Sequence, residues 1–328
     1  MPSRPALKVA QRSHLRPPLW LLPFLGTGLV CLSAALWATV GVAVSLLQPT
    51  VPFDSVAVAL VRTALGAAGL LAIAALLGRL TLARALPLRA LAVFGLAGAV
   101  FQICLFRAFA EVGVTVTVAV TVCLPPVVVT LVTALQARRL PGWPVVAALL
   151  TASLGVLLIA QPAGPTAGMH PVGVRGVTLL VLASVAFSAV AMAARHICQV
   201  CDPVVGTGLG LAVCAAVLAV FGALSGGLSL ASLAGLGRTD VAILLYLGLG
   251  ATAGAYLAFS VGLTFCRSSA SGLVASMVEP ALAAIMATVL LGELLPLPNL
   301  TGCLVVTAAM LLLSLPEARS HAPRRRAL

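Results

Sequence analysis

The sequence predicts an all-α membrane protein with ten transmembrane helices, arranged as two inverted five-helix repeats. Of its 328 residues, 62% are hydrophobic and only 8% are charged. A soluble domain could not keep that much apolar surface from water. The apolar runs are continuous and about 20 residues long, as transmembrane helices require. Transmembrane β-strands would instead alternate apolar and polar residues in segments of about ten.

Ten apolar segments make up most of the chain, which leaves no room for a soluble domain. The third and fourth segments are separated only by a short turn around Arg107 and Glu111, and the eighth and ninth only by Cys266 and Arg267. The predicted bounds are 27–47, 55–78, 89–107, 113–136, 142–161, 173–194, 204–226, 239–264, 268–291 and 298–315.

The basic residues predict the orientation of these helices. With the N-terminus inside the cell, 15 of the 19 basic residues fall in cytoplasmic segments and 3 in external loops. Cytoplasmic loops of membrane proteins carry such an excess of positive charge, so both termini are expected in the cytoplasm. We divide the chain into a basic tail (1–24), a first five-helix repeat (25–162), a second repeat (172–316) and another basic tail (317–328).

The two halves are related by a shift of 155 residues, which lays positions 94–141 on 249–296 without a gap. Gly95 falls on Gly250, and Pro125 falls on Pro280. Because five is an odd number of helices, the second half is inserted upside down relative to the first. Inverted repeats are typical of secondary carriers, whose substrate sites lie near the membrane midplane.

Glu279 and Pro280 lie side by side near the middle of the ninth segment. A charge at that depth costs roughly 2.5 kcal/mol or more, so it normally faces the protein interior or a water-filled cavity. Proline has no backbone N–H, and both Pro280 and Pro125 are therefore predicted to kink their helices. Glu279 is the candidate for proton coupling, since burial favours a carboxyl group that exchanges a proton near neutral pH. The alternative is a protonated Glu279 that only hydrogen-bonds a neighbouring helix.

Arg62 is the one basic residue assigned neither to a cytoplasmic segment nor to an external loop, and it lies within the second predicted helix, about two turns from its external end. A guanidinium group stays charged, so it needs a partner or water at this depth. We expect Arg62 to bind an anionic group of a substrate or to pair with Glu279. The alternative is that its long side chain reaches the outer membrane surface.

Further candidates to line a central cavity are Trp37, Gln102 and Tyr256, with Phe101 more simply explained by helix packing. Aromatic walls with a few polar groups suit small organic ligands. An amide in an apolar run usually finds a hydrogen-bond partner, which makes Gln102 more informative than Phe101.

Short motifs across the chain resemble the EamA-type transporters of the drug/metabolite transporter superfamily. They are SAALWATVGVAVSLL around Trp37, VALVRTALGAAGLLA around Arg62, and ASMVEPALAAIMATVLLGELL, which contains Glu279-Pro280 and Gly292-Glu293. The resemblance covers roughly residues 27 to 316. It implies a carrier of small metabolites, such as an exporter of amino acids or similar compounds. The first repeat departs from the pattern, because Leu124 stands where the second has Glu279, and Ala137-Arg138 where it has Gly292-Glu293.

The leading hypothesis is therefore a secondary transporter in the cell membrane that works by alternating access, with a small-molecule substrate and the lipid bilayer as its partners. The alternative is a channel or a scaffold protein without carrier activity. No nucleic-acid partner, cofactor or catalytic residue is expected; a homodimer stays open, and the composition suggests a bacterial source. No ATP-binding G-x-x-x-x-G-K-[ST] motif occurs in the chain. Cys198 and Cys201 form a C-x-x-C, but no second pair completes four metal ligands, so no metal site is expected.

Overall fold

The computed structural model describes residues 22–47, 55–82, 86–112, 114–138, 142–159, 173–226, 236–266 and 269–282, with isolated positions at 140 and between 285 and 308. All regular secondary structure in these residues is helical. Six of the helices are long and apolar enough to cross a membrane. The fold class is therefore confirmed as helical and membrane-spanning.

Nine helices of at least eight residues are seen in the described residues, and a short 3-10 helix, Arg79–Leu82, follows the second of them. Eight of the nine follow the predicted segments closely, whereas the ninth is described only in part and most of the tenth predicted segment lies outside the described residues. The helices are α1 (Leu22–Leu47), α2 (Ser55–Leu76), α3 (Leu88–Val112), α4 (Val114–Ala137), α5 (Trp143–Ile159), α6 (Val174–Val200), α7 (Pro203–Ser225), α8 (Arg238–Phe265) and α9 (Ser269–Ser276). The middle of α8, Tyr246–Gly254, is π-helical.

The predicted turn around Arg107 and Glu111 is wrong, because α3 continues through both residues. Both charged side chains have partners while their backbone stays helical. The guanidinium carbon of Arg107 lies 5.2 Å from the centroid of the Phe221 ring. Glu111 forms an ion pair with Arg175, with 3.0 Å between Oε1 and Nε. Charged side chains near a helix end are therefore a poor indicator of the end itself.

The helices pack in pairs that join the two halves of the chain. The main pairs are α2 with α7, α3 with α6, and α1 with α8. The largest hydrophobic core lies between these pairs and contains the fully buried rings of Phe94 and Phe259. An arrangement of this kind places the start of the second half against the third helix of the first half.

Two ion pairs link the halves at opposite ends of the helices. At one end Arg79 contacts Asp202 at 3.3 Å, and at the other Arg175 contacts Glu111. Asp202 also accepts the backbone N–H groups of Val204 and Val205 and so caps α7. Since both pairs are partly exposed, each contributes roughly 0–1 kcal/mol to stability, and their main effect is to align the helix ends.

Gly26 allows α1 and α8 to touch backbone to backbone. A Cβ atom at Gly26 would lie 2.8 Å from the backbone nitrogen of Cys266 and 2.9 Å from the carbonyl oxygen of Gly262. Neither backbone atom can move aside cheaply. We predict that Gly26→Ala lowers the free energy of unfolding by about 1–3 kcal/mol, measured by thermal unfolding in detergent.

Gly28 provides the matched control on the same helix. A Cβ atom there would meet nothing within 4 Å. Gly28→Ala should therefore leave stability unchanged or raise it by up to about 1 kcal/mol, because alanine favours helix. Equal destabilisation by both substitutions would show that the close α1–α8 contact does not matter.

Candidate functional site

Arg62 lies inside the protein and not at the membrane surface. It sits in α2, seven residues after the helix begins at Ser55, and only 8% of it is exposed. Its Nε is buried and has no hydrogen-bond partner among the described residues. Leaving a buried guanidinium without full pairing is costly, so the position calls for a compensating negative charge or a polar ligand.

Glu279 is the candidate for the compensating negative charge. The guanidinium of Arg62 lies close enough to Glu279 for its charge to interact with an ionised carboxylate, and it also lies near Tyr256. The ion pairs that the structure describes are those of Arg79 and Arg175, so Arg62 and Glu279 interact without direct contact. The other acidic residues in the described parts of the chain, Glu111, Asp202 and Asp240, lie at or near helix ends.

Glu279 is positioned by an interruption of its helix. α9 ends at Ser276, and a turn at Met277 and Val278 precedes further helical residues that include Glu279 and Pro280. The turn is closed by short-range bonds, from Met277 N–H to the Val274 carbonyl at 3.1 Å and from Val278 N–H to the Ala275 carbonyl at 3.5 Å. Pro280 supplies no N–H to the carbonyl four residues earlier, which favours the break at this point. Glu279 itself is partly exposed.

Pro125 behaves differently in the first half of the chain. α4 runs as an unbroken α-helix from Val114 to Ala137, with Pro125 and Pro126 inside it. The carbonyl of Pro126 accepts the hydroxyl of Thr130 at 2.7 Å, and that of Pro125 accepts the hydroxyl of Ser188 at 3.4 Å. The kink predicted at Pro125 therefore stays a prediction, whereas the helix that contains Glu279 is interrupted by the turn at Met277 and Val278.

Gln102 connects the helix of Arg62 to two others. It is 2% exposed, and its Nε2 donates to the hydroxyl of Thr63 at 3.2 Å and to the sulfur of Cys214 at 3.4 Å. Its Oε1 is buried without a hydrogen-bond partner in the described part of the chain. Thr63 follows Arg62 directly, and Cys214 also lies near Arg62. We call Arg62, Gln102, Tyr256 and Glu279 the central cluster.

An aromatic wall adjoins the central cluster. Trp37 is in contact with Tyr256, Phe259 and Phe187, with ring centroids 5.3, 5.2 and 5.8 Å apart. Phe101 packs on Phe187 at 4.9 Å, which agrees with a packing role for it. The rings come from α1, α3, α6 and α8, and therefore from both halves of the chain. Phe187 and Phe259 were not singled out from the sequence, because a phenylalanine in an apolar helix gives no signal of its neighbours.

Glycines bring α2 close to the π-helical part of α8. A Cβ atom at Gly248 would overlap the Cβ of Leu65 and would lie 3.3 Å from the carbonyl oxygen of Arg62. In the same segment, Thr252 donates its hydroxyl to the carbonyl of Leu247 at 2.7 Å. π-Helical turns are frequent at functional sites. Here the π-helical segment packs directly against the turn of α2 that contains Arg62.

The chemistry available at the central cluster is binding and proton exchange. It offers a cation, a carboxyl group, an amide oxygen and aromatic faces, all inside the helical bundle. The described residues contain no group of three or more His, Cys, Asp or Glu side chains that could hold a metal ion. Glu293 and most of the tenth predicted segment lie outside the described residues.

The comparisons with known proteins agree with this architecture. A family model described as the EamA-like transporter family matches residues 24–161 and 174–315. No curated protein matches the chain. One solved crystal structure, described only as that of a protein, aligns with a TM-score of 0.71 and 19% identity over 89% of this chain and 96% of that chain. At that identity the likeness shows the fold alone.

Proposed function

Because this chain belongs to the EamA-like transporter family, we propose that it is a secondary carrier of small organic metabolites that works by alternating access. The family places it in the drug/metabolite transporter superfamily. We further propose amino acids or related compounds as substrates, export as the direction, and the cell membrane of a bacterium as the location, with both termini in the cytoplasm.

The proposal depends chiefly on the state of Arg62. It is a buried cation in the middle of an apolar bundle, with one donor unpartnered in the described residues and a carboxyl group nearby but not in contact. Retaining such a group costs stability, so we infer that it is kept for binding. We propose that Arg62 binds an anionic group of the substrate and that Glu279 exchanges a proton during transport.

The aromatic wall and the amide complete the proposed site. Trp37 and Tyr256 would cover apolar or cationic parts of a solute, since aromatic faces attract both. The Oε1 of Gln102 is an acceptor that a substrate N–H or O–H could use. Small organic ligands are usually held by such a combination of apolar walls and a few fixed polar groups.

The helix pairing supports an inverted arrangement of two repeats. If the second half repeats the first, α1 corresponds to α6, α2 to α7, and α3 to α8. The pair α3–α6 then corresponds to α8–α1, and the pair α2–α7 corresponds to itself. A twofold relation predicts this exchange of pairs. We therefore propose the full ten-helix arrangement, with the site between the repeats and Pro280 next to it.

The function is tested by flux into proteoliposomes that contain the purified protein. We expect uptake of at least one compound from a labelled panel of amino acids and metabolites to saturate and to be blocked by unlabelled compound. Flux that rises linearly with concentration and is not competed would indicate a channel, and formation of a product would indicate an enzyme.

Gln102→Met should separate a role in binding from a role in stability. Met fills a similar volume. It removes an unpartnered buried carbonyl, which raises stability, and also the two donated hydrogen bonds, which lowers it. The two effects offset, so the free energy of unfolding should change by no more than about 1 kcal/mol. Transport efficiency should nevertheless fall by about tenfold, the equivalent of one lost hydrogen bond to substrate. The control is Gln136→Met, at an exposed position on α4. Lost stability with unchanged transport per folded protein would make Gln102 a packing residue.

A further inference from the structure

A groove lies between the start of α3 and the end of α6, and none of its lining residues belongs to the central cluster. Its volume is about 770 Å³. Four lining residues come from α3, four from α6 and two from the segment that leads into α3. They are Leu86, Pro87, Leu88, Arg89, Ala90, Val93, Ala189, Met192, Ala193 and His196.

The groove follows one face of each helix. On α6 the positions 189, 192, 193 and 196 recur every three or four residues, and on α3 the positions 89, 90 and 93 do the same. Seven residues of helix correspond to a length of about 10 Å. The small side chains of Ala189 and Ala193 form part of its floor.

The two ends of the groove differ in polarity. Arg89 and His196 stand at the end where α3 begins and α6 nears its end, and both are exposed. Val93 and Ala189 line the opposite end, further along the helices, and Val93 is 46% exposed there. No acidic residue lines the groove. A cationic mouth at the level of the helix ends thus leads into an apolar trough along the membrane-spanning part of the helices.

This polarity matches one molecule with an anionic head and an apolar tail. We propose that the groove binds an anionic phospholipid, with the phosphate at Arg89 and His196 and an acyl chain along Val93 and Met192. The mouth is at the predicted cytoplasmic end, where anionic lipids attract basic residues of membrane proteins. A second copy of the chain fits less well, because a twofold contact through this face would bring the cationic mouths of both copies together. This inference does not rest on the proposed transport function.

The test is lipid retention by the purified full chain, measured by native mass spectrometry in detergent. Phosphatidylglycerol and phosphatidylcholine with the same acyl chains would be added separately. We expect preferential retention of phosphatidylglycerol, and a fall of about fivefold in its apparent affinity for Arg89→Gln. Arg138→Gln, which removes an exposed charge at the end of α4, should leave retention unchanged.

A second variant tests the apolar part of the groove. Val93→Trp places a large ring over the trough at a position that is already exposed, and it should lower the retention of phosphatidylglycerol without altering the elution of the protein on size exclusion. Equal retention of the two lipids, or equal effects of Arg89→Gln and Arg138→Gln, would overturn the proposal. So would a Val93→Trp variant that changes the oligomeric state and leaves lipid retention intact, since the face would then be an interface between copies.

Discussion

Arg62→Gln is expected to reduce transport efficiency by at least about 30-fold while the protein still folds and elutes as a single species. Truncating one partner of a buried, hydrogen-bonded charge pair costs about 2–5 kcal/mol. If Arg62 binds an anionic group of the substrate, a loss of that size corresponds to this factor or more. The substituted amide is polar, neutral and shorter, so it relieves the cost of burying a charge at a position that is only 8% exposed. The measurement is initial uptake into proteoliposomes at several substrate concentrations.

Two further variants make this result specific. Arg62→Lys keeps the charge but lacks the planar fork that binds a carboxylate or phosphate with two hydrogen bonds, so it should recover only part of the activity. Arg238→Gln removes an exposed arginine at the start of α8 and should transport normally. If Arg62→Gln transports like the wild type, Arg62 has no part in the site.

Glu279→Gln is expected to abolish the stimulation of transport by a pH gradient. Glutamine cannot take up or release a proton, yet it keeps the shape of the side chain beside the turn that follows α9. If proton exchange at Glu279 is coupled to transport, wild-type flux should rise with an imposed gradient, and flux through the variant should be the same with and without it. The measurement is uptake with and without an inward-acid gradient at equal substrate concentration.

Glu111→Gln is the matched control for this experiment. Glu111 is an exposed carboxylate at the end of α3, paired with Arg175. Its replacement should preserve the response to the gradient. Full gradient-driven transport by Glu279→Gln would remove Glu279 from the coupling step and leave the carrier proposal to rest on Arg62.

The helical class and the first eight helices were predictable because long apolar runs have few alternatives. A continuous run of about 20 apolar residues can satisfy its backbone in a membrane only as a helix. The ends were less predictable. α3 passes through Arg107 and Glu111, since a charge at the membrane surface can find a ring or a counter-ion while the backbone stays helical.

The central cluster was predictable as residues but not as an arrangement. Arg62 and Glu279 stand out because charges are rare in apolar segments, and Gln102 stands out for the same reason. That Gln102 bonds Thr63 and Cys214, and that Phe187 closes the aromatic wall, depends on which helices pack together. Cys214 illustrates the limit, because in the sequence it is one small residue in an apolar run. The contacts between the two halves carry information that no local pattern contains.

Counterflow exchange is the most direct test of alternating access. Proteoliposomes would be loaded with an unlabelled transported compound and diluted into a trace of the same compound in labelled form. A carrier that alternates between two faces predicts a transient accumulation of label above the external concentration, because each outward trip of unlabelled compound returns a site for labelled compound. We expect this overshoot for the wild type and its loss in Arg62→Gln. Label that only equilibrates, without any overshoot, would contradict alternating access and indicate a channel.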